Sequence, residues 1–282
     1  MKPAPFTYHR PRGLDEALEV LAALGEAGKV LAGGQSLVPL MSMRLSAPAH
    51  LVDVNHVPGL ATVHVDEHVV RIGALARHSQ VEHDAAAYDA LPLLRQAVRH
   101  VAHPTIRNRG TTVGSLVHGD PAAELPAVLL LLDGSVTLRS AERAREVEAA
   151  SFFIGPMETA LRPGELAVAA TFRRPATGSG TAFVEVTRRH GDYAVCGVGA
   201  VVGASSARVA LLGVGPGPVL VDLPDAVRDE PLDDERVHAL VEEAIDPEAD
   251  IHASADYRRH LAHVLVRRAL TEAHHRAPGR AA

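Results

Sequence analysis

Two glycine-bearing turns constrain this chain more than any other feature. The first is Ala32-Gly33-Gly34-Gln35-Ser36. The second is Gly110-Thr111-Thr112-Val113-Gly114-Ser115, roughly 80 residues further on. Glycines let the backbone approach a ligand and aim successive N–H groups into an anion-binding concavity. The neighbouring Ser and Thr hydroxyls add donors. Neither turn matches the GxGxxG or GxxxxGK[ST] phosphate signatures, and either one alone reads equally well as a tight turn. Together they suit a ligand with a long diphosphate, which two turns can grip from opposite sides.

Around these turns the pattern alternates strand and helix. Leu14, Leu18, Leu21 and Leu24 recur at helical spacing in "GLDEALEVLAALGEAG", with Asp15 and Glu16 in the first turn. Short strands follow in "KVLAGG" and "HLVDV". "ATVHVDEHVVRIGALA" alternates as a β-hairpin turning near Asp66-Glu67, and the next segment is helical with a break at Pro92. "DGSVTLRS" and "LRPGELAVAATFRRP" each supply a strand. "ATGSG" (residues 176–180) is the clearest linker. Three β-rich runs and two helices lie beyond it.

The expected class is α+β, with units at 1–57, 58–176 and 177–282. The last is expected to be a three-stranded sheet covered by helices on one side. "GVGPGP" (Gly213 to Pro218) has no helix after it and reads as a loop rather than a Rossmann turn.

Two carboxylates follow the second turn, in "GDPAAELP". Asp120 and Glu124 are candidate acceptors for ligand hydroxyls, such as those of a ribose or ribityl chain. The alternative is structural: Asp120 caps a helix whose first residue is Pro121, and Glu124 is solvated.

Composition removes several classes. The net charge is −6, with no basic surplus for a nucleic-acid backbone. No apolar run approaches the roughly 20 residues of a membrane helix. The N-terminal "MKPAPFTYHRPRG" lacks the apolar core of an export leader. The one cysteine, Cys196, permits no internal disulfide and no Cys-ligated iron–sulfur cluster on this chain. A cytoplasmic location is expected, with Cys196 as a packing residue. The 17 histidines are scattered without an HExxH motif, so no metal ligand is assigned.

Several ordered segments resemble the FAD-binding medium subunit, or domain, of the molybdenum hydroxylases, the group of carbon monoxide and xanthine dehydrogenases. They are "FTYHRPRGLDEAL", "LAGGQSLVPLM" with "RLSAPAHLVDV", "IRNRGTTVGSLVHGDPAAELP", "RPGELAVAATF", "RRHGDYAVCGVGAVV" and "ASADYRRHLAHVLVRRAL". The resemblance runs along nearly the whole chain. It implies two α/β subdomains (a PCMH-type FAD-binding domain) that clasp FAD, followed by the C-terminal sheet and helices. Leu31, Ala32, Gly33, Gly34, Gln35, Ser36, Leu37 and Val38 would contact the FAD diphosphate from one side. Thr111, Thr112, Val113, Gly114 and Ser115 would contact it from the other. Glu124 would lie near the ribityl chain, Leu166 near the isoalloxazine ring and Tyr193 over it.

The resemblance implies an electron-transfer subunit of a dehydrogenase or hydroxylase complex, with no catalytic acid or base of its own. A large subunit would carry the molybdenum cofactor and a small one [2Fe–2S] clusters. Electrons would leave to an acceptor such as NAD or a quinone. A stand-alone flavin oxidoreductase and a flavin-free scaffold or assembly subunit are the alternatives.

Two departures carry expectations. The family's second turn has a glycine pair where this chain has Val113-Gly114. A β-branched residue resists positive φ, which predicts a rearranged turn and weaker FAD binding. A lysine-bearing strand in some relatives reads "FVEVTRR" here, so the lysine's role is expected to be missing or to pass to Arg188 or Arg189.

Overall fold

The computed structural model describes residues 1–224 and 234–277. The strands sort into three main sheets laid along the chain. The first is small and parallel. It comprises β1 (Thr7–His9), α1 (Leu14–Leu24), β2 (Gly28–Leu31), α2 (Leu37–Ser42) and β3 (His50–Asp53), with strand order β1-β3-β2. Parallel strands need crossovers, and α1 and α2 supply them. Ala17, Leu18 and Leu21 bury the inner stripe of α1 against Val52 and Val54.

The second sheet is antiparallel. The hairpin β4 (Val63–Val65) and β5 (Val69–Gly73) is turned by Asp66, whose Oδ1 accepts from the amides of His68 and Val69. Four short helices follow: α3 (His78–His83), α4 (Ala85–Ala90), α5 (Pro92–Val98) and α6 (Pro104–Arg107). The expected break at Pro92 is present, with Pro92 opening α5. A further break precedes it, because Asp84 caps α4 by accepting from the Ala87 amide at 2.8 Å. The chain continues through α7 (Thr112–His118), α8 (Glu124–Leu131), β6 (Ser135–Arg139), β7 (Ala144–Glu148), α9 (Ala149–Phe152), the small hairpin β8 (Phe153–Gly155) and β9 (Glu158–Thr159), and β10 (Leu166–Arg173). The strand order is β4-β5-β10-β6-β7.

The third sheet has four strands rather than three. They are β11 (Gly180–Thr187), β12 (Ala194–Val202), β13 (Ser206–Leu212) and β14 (Val219–Pro224), in simple meander order. The run "ARVALLGVGPGPVLV" contains two of them, because the Gly213–Pro218 loop folds it back on itself. Two helices, α10 (Asp234–Ala244) and α11 (Ala255–His275), cover one face.

The other face is covered as well. It packs on α5 and α8, so the helical cover is two-sided rather than one-sided. This explains the composition of α8, whose residues Glu124 to Leu131 are all buried. A helix apolar on all sides belongs inside a protein, and α8 lies between α5, α7 and α9 on one side and the third sheet on the other. Among the described residues no helix is long and apolar enough to cross a membrane.

Candidate functional site

The two glycine turns meet. A cavity of about 510 Å³ is bordered by Ala32 to Leu37 from the first turn and by Gly110, Thr111 and Val113 to Ser115 from the second. The contact is close because residue 33 is glycine. A Cβ there would fall 2.5 Å from the Arg109 carbonyl oxygen and 2.7 Å from Gly110 Cα. Any side chain at 33 would pry the turns apart.

A polar chain that the sequence reading missed fixes the first turn. The Tyr8 hydroxyl donates to Asp53 Oδ2 at 2.5 Å. Asp53 Oδ1 accepts from the Asn55 amide at 2.9 Å. Asn55 Nδ2 donates to the Ala32 carbonyl at 2.8 Å. Arg77 then donates to Asn55 Oδ1 at 2.6 Å and to the Arg109 carbonyl at 2.6 Å. Asn55 and Arg77 therefore tie the first turn, through its own carbonyl, to the residue before the second. Burial works against the charge of Asp53, but hydrogen bonds from Tyr8 and Asn55 outweigh it and hold the acid below its usual range. The readable signal was an Asx residue directly after "HLVDV", two positions beyond Asp53.

The second turn is the first turn of α7. Thr111 caps the helix, its Oγ1 accepting from the Gly114 amide at 3.1 Å. A Cβ at Gly114 would lie 2.5 Å from that oxygen, so a side chain at 114 would make the Thr111 cap shift. Val113 is helical, 2% exposed and packed in the core beneath the turn. Residues with positive φ do not include it. Helical φ suits a β-branched residue, so the backbone strain expected at Val113 is absent. Thr112 is fully buried; its amide donates to the Ala76 carbonyl and its hydroxyl lies 3.5 Å from His78 Nδ1. Burial, then Arg107, push the His78 imidazole down to about 4.

Asp120 does not cap a helix. Its Oδ1 accepts from the Ala122 amide at 2.9 Å in a turn, and α8 starts four residues later, after Ala123. Pro121 accordingly precedes the helix rather than opening it. Glu124 is buried on the cavity wall, not solvated. Burial first, then repulsion from Glu185, raises its carboxyl to about 8, so it carries a proton at neutral pH. Leu166, buried at the start of β10, and Tyr193, exposed on the β11–β12 connection, complete the wall. Tyr193 and Ser36 both border the cavity.

Of the expected residues, Leu31, Val38, Thr112 and Asp120 lie behind the lining or beside it. Neither Arg188 nor Arg189 borders the cavity, and Arg188 instead reaches His252 Nδ1 at 2.8 Å. Cys196 is fully buried and burial pushes its thiol up to about 12, which fits a packing residue. Among the described residues no three metal-ligating side chains converge.

Residues 4–172 match the family model described as the FAD binding domain in molybdopterin dehydrogenase. Residues 181–273 match the CO dehydrogenase flavoprotein C-terminal domain. The chain belongs to this family of FAD-binding oxidoreductase subunits. The 6-hydroxypseudooxynicotine dehydrogenase complex subunit alpha of Paenarthrobacter nicotinovorans is 40% identical over 98% of this chain and 97% of its own length. The carbon monoxide dehydrogenase medium chain of Afipia carboxidovorans is 35% identical, over 98% and 99%. Carbon monoxide dehydrogenase from Hydrogenophaga pseudoflava superposes with a TM-score of 0.94 at 32% identity, over 98% of this chain and all of that one.

The residues present fit FAD. The volume is ordinary for a cofactor site. Gly33 lets two backbones close on one strip of space, the hydroxyl-bearing Ser36 and Ser115 border it, and the buried Glu124 lies in its wall.

Proposed function

We propose that FAD lies in this cavity with its diphosphate between Ala32–Leu37 and Thr111–Ser115. Its ribityl hydroxyls face Glu124, and its ring end lies beside Leu166 and Tyr193. Leu31, Val38 and Thr112 support the turns from behind, and Asp120 orients the entry to α8. The chain passes electrons from [2Fe–2S] clusters of a small partner subunit to an external acceptor such as NAD or a quinone. A large partner subunit carrying the molybdenum cofactor acts on the substrate.

The observation that carries this reading is the meeting of two glycine turns, about 80 residues apart in sequence, on one cavity with the buried Glu124 carboxyl in its wall. Bound FAD supplies redox chemistry that no side chain here can perform. The protein's part is to hold and orient it. The turns neutralise the diphosphate with amide donors, Gly33 admits the close approach, and Arg77 with Asn55 keeps the two turns in register. A single buried cysteine supports the reading that clusters sit on a partner.

Purified chain should be yellow and release close to one flavin per chain. Gly33→Val should be colourless, because its side chain meets the Arg109 carbonyl. A wild-type chain that is colourless and takes up no added FAD would sink the reading. Recovery of a complex containing molybdenum and iron supports the partner assignment, whereas substrate turnover by the isolated flavin-loaded chain contradicts it.

A further inference from the structure

Residues 188–193 join β11 to β12 and reach the cavity from the C-terminal unit. The ladder between the two strands ends at Thr187 and Ala194, so this segment lies beyond it. Its base is tied by Arg188, which donates to His252 Nδ1 at 2.8 Å. Its tip is a turn closed by the Asp192 amide on the Arg189 carbonyl at 3.0 Å. Gly191 stands third in that turn with a φ of 88°, a left-handed value that glycine adopts at this position without strain. Gly191, Asp192 and Tyr193 all border the cavity. Tyr193 is 57% exposed, so core packing does not fix it. It is placed only as well as the turn that carries it.

The tip of the turn rests on His103. A Cβ added to Gly191 would lie 2.5 Å from Cε1 of that imidazole and 2.8 Å from each of its nitrogens. Equal distances to the nitrogens, barely longer than that to Cε1, put the added atom over the ring face rather than off its edge. The ring therefore lies flat against bare backbone. His190 meets the same ring, with centroids 5.7 Å apart.

His103 is itself held. Ala102 before it has a φ of 44°, a conformation that a side-chain-bearing residue keeps only where its surroundings over-determine it. Arg107 does so. Its guanidinium is buried, donates through Nη1 to the carbonyls of Val101 at 3.1 Å and Ala102 at 3.0 Å, and through Nε to Glu82 Oε2 at 2.8 Å. The His103 side chain takes no part in capping α6, which leaves the turn as the contact it serves.

We propose that His103 is a positioning residue for the cofactor site: its ring face seats the turn at residues 189–192 and thereby holds Tyr193 at the ring end of the cavity. The proposal rests on the placement of FAD given above. A segment of the C-terminal unit is thus set against the cofactor by a residue of the FAD-binding unit, and neither unit alone fixes the surroundings of the ring.

The test uses the full chain, both flavin-free and flavin-loaded. Trypsin cuts after arginine where the backbone opens locally, and Arg188 and Arg189 are exposed on this segment. In the flavin-free chain, His103→Ala should speed cleavage at these two sites severalfold. His103→Phe, which keeps a flat ring, should slow it again. A phenol beside a flavin ring quenches the flavin's fluorescence. In the loaded chain, Tyr193→Ala should therefore brighten bound FAD severalfold, His103→Ala should also brighten it, and His103→Phe should return it to the wild-type level. The double variant should be no brighter than Tyr193→Ala, because His103 acts through Tyr193. Cleavage unchanged by His103→Ala, or not slowed again by His103→Phe, would overturn the seat. Bound FAD left dim by His103→Ala, or a double variant brighter than Tyr193→Ala, would overturn its role in placing Tyr193. A chain that takes up no FAD, or whose FAD stays dim in Tyr193→Ala, yet shows the expected cleavage would count against the placement of FAD and not against the seat.

Discussion

Replacing Glu124 by Gln should make this protein more stable, and increasingly so as pH rises. The carboxyl is raised from 4.5 to about 8 by burial and by Glu185. The folded chain therefore keeps a proton between about pH 4.5 and 8 that the unfolded chain has released. Stability falls with pH wherever the folded state binds more protons. The loss begins above the unfolded value, grows through the window and is complete above about pH 8. At about 1.4 kcal/mol for each tenfold change in proton affinity, it reaches about 5 kcal/mol. Glutamine is neutral in both states and escapes the loss.

Urea unfolding of the flavin-free chain, wild type and Glu124→Gln, should give nearly equal stabilities at about pH 4.5 and a gap of several kcal/mol at about pH 9. Because Glu185 contributes the repulsion, the gap should shrink when Glu185 is also changed to Gln. A gap independent of pH would refute the reasoning, since it would mean that Glu124 ionises alike in both states. A gap of opposite sign would mean that an unrecognised cation neutralises it.

Other outcomes follow from the same geometry. Arg77→Ala removes two charge-assisted hydrogen bonds and should cost about 2–4 kcal/mol of stability by urea unfolding. FAD affinity, measured by fluorescence titration, should fall with it. Arg77→Lys should restore neither, because one ammonium cannot span Asn55 and the Arg109 carbonyl as the guanidinium does. His78, held down to about 4, stays neutral while the unfolded chain takes a proton below pH 6.5. Stability should therefore drop by about 3 kcal/mol between pH 6.5 and 4, and His78→Gln should flatten that acid limb. Val113→Gly, which restores the family's glycine pair, should destabilise the chain by about 2–4 kcal/mol through core loss and helix propensity. It should not raise FAD affinity in a fluorescence titration.

The order of elements was legible because the signals were local. Leucines at helical spacing gave α1, alternation gave the β4–β5 hairpin, and Pro92 gave a break. The fourth strand of the last sheet was hidden because β13 and β14 share one apolar run with only the Gly213–Pro218 loop between them. The cover on both faces of that sheet was hidden for a different reason. It depends on α8, whose uniform apolarity says "buried" without saying against what. In the site, the glycines were legible because their chemistry is intrinsic. Asn55 and Arg77 were not, because a bridging role is a property of where two distant segments meet.

Val113 shows how such a reading goes wrong. Treating residues 110–115 as a loop made a β-branched residue look like an obstacle to positive φ. Thr111 instead caps α7, and the strain argument dissolves once the segment is helical. What a glycine at 113 would change is packing, since Val113 fills core beneath the turn. The tight contact sits one residue later, where a Cβ at Gly114 would press on Thr111 Oγ1. The second turn thus keeps its shape through a helix cap, and the first through the Asn55–Arg77 tie. The cavity's two walls are set by different kinds of hydrogen bond, so disrupting one should loosen FAD without unfolding the other.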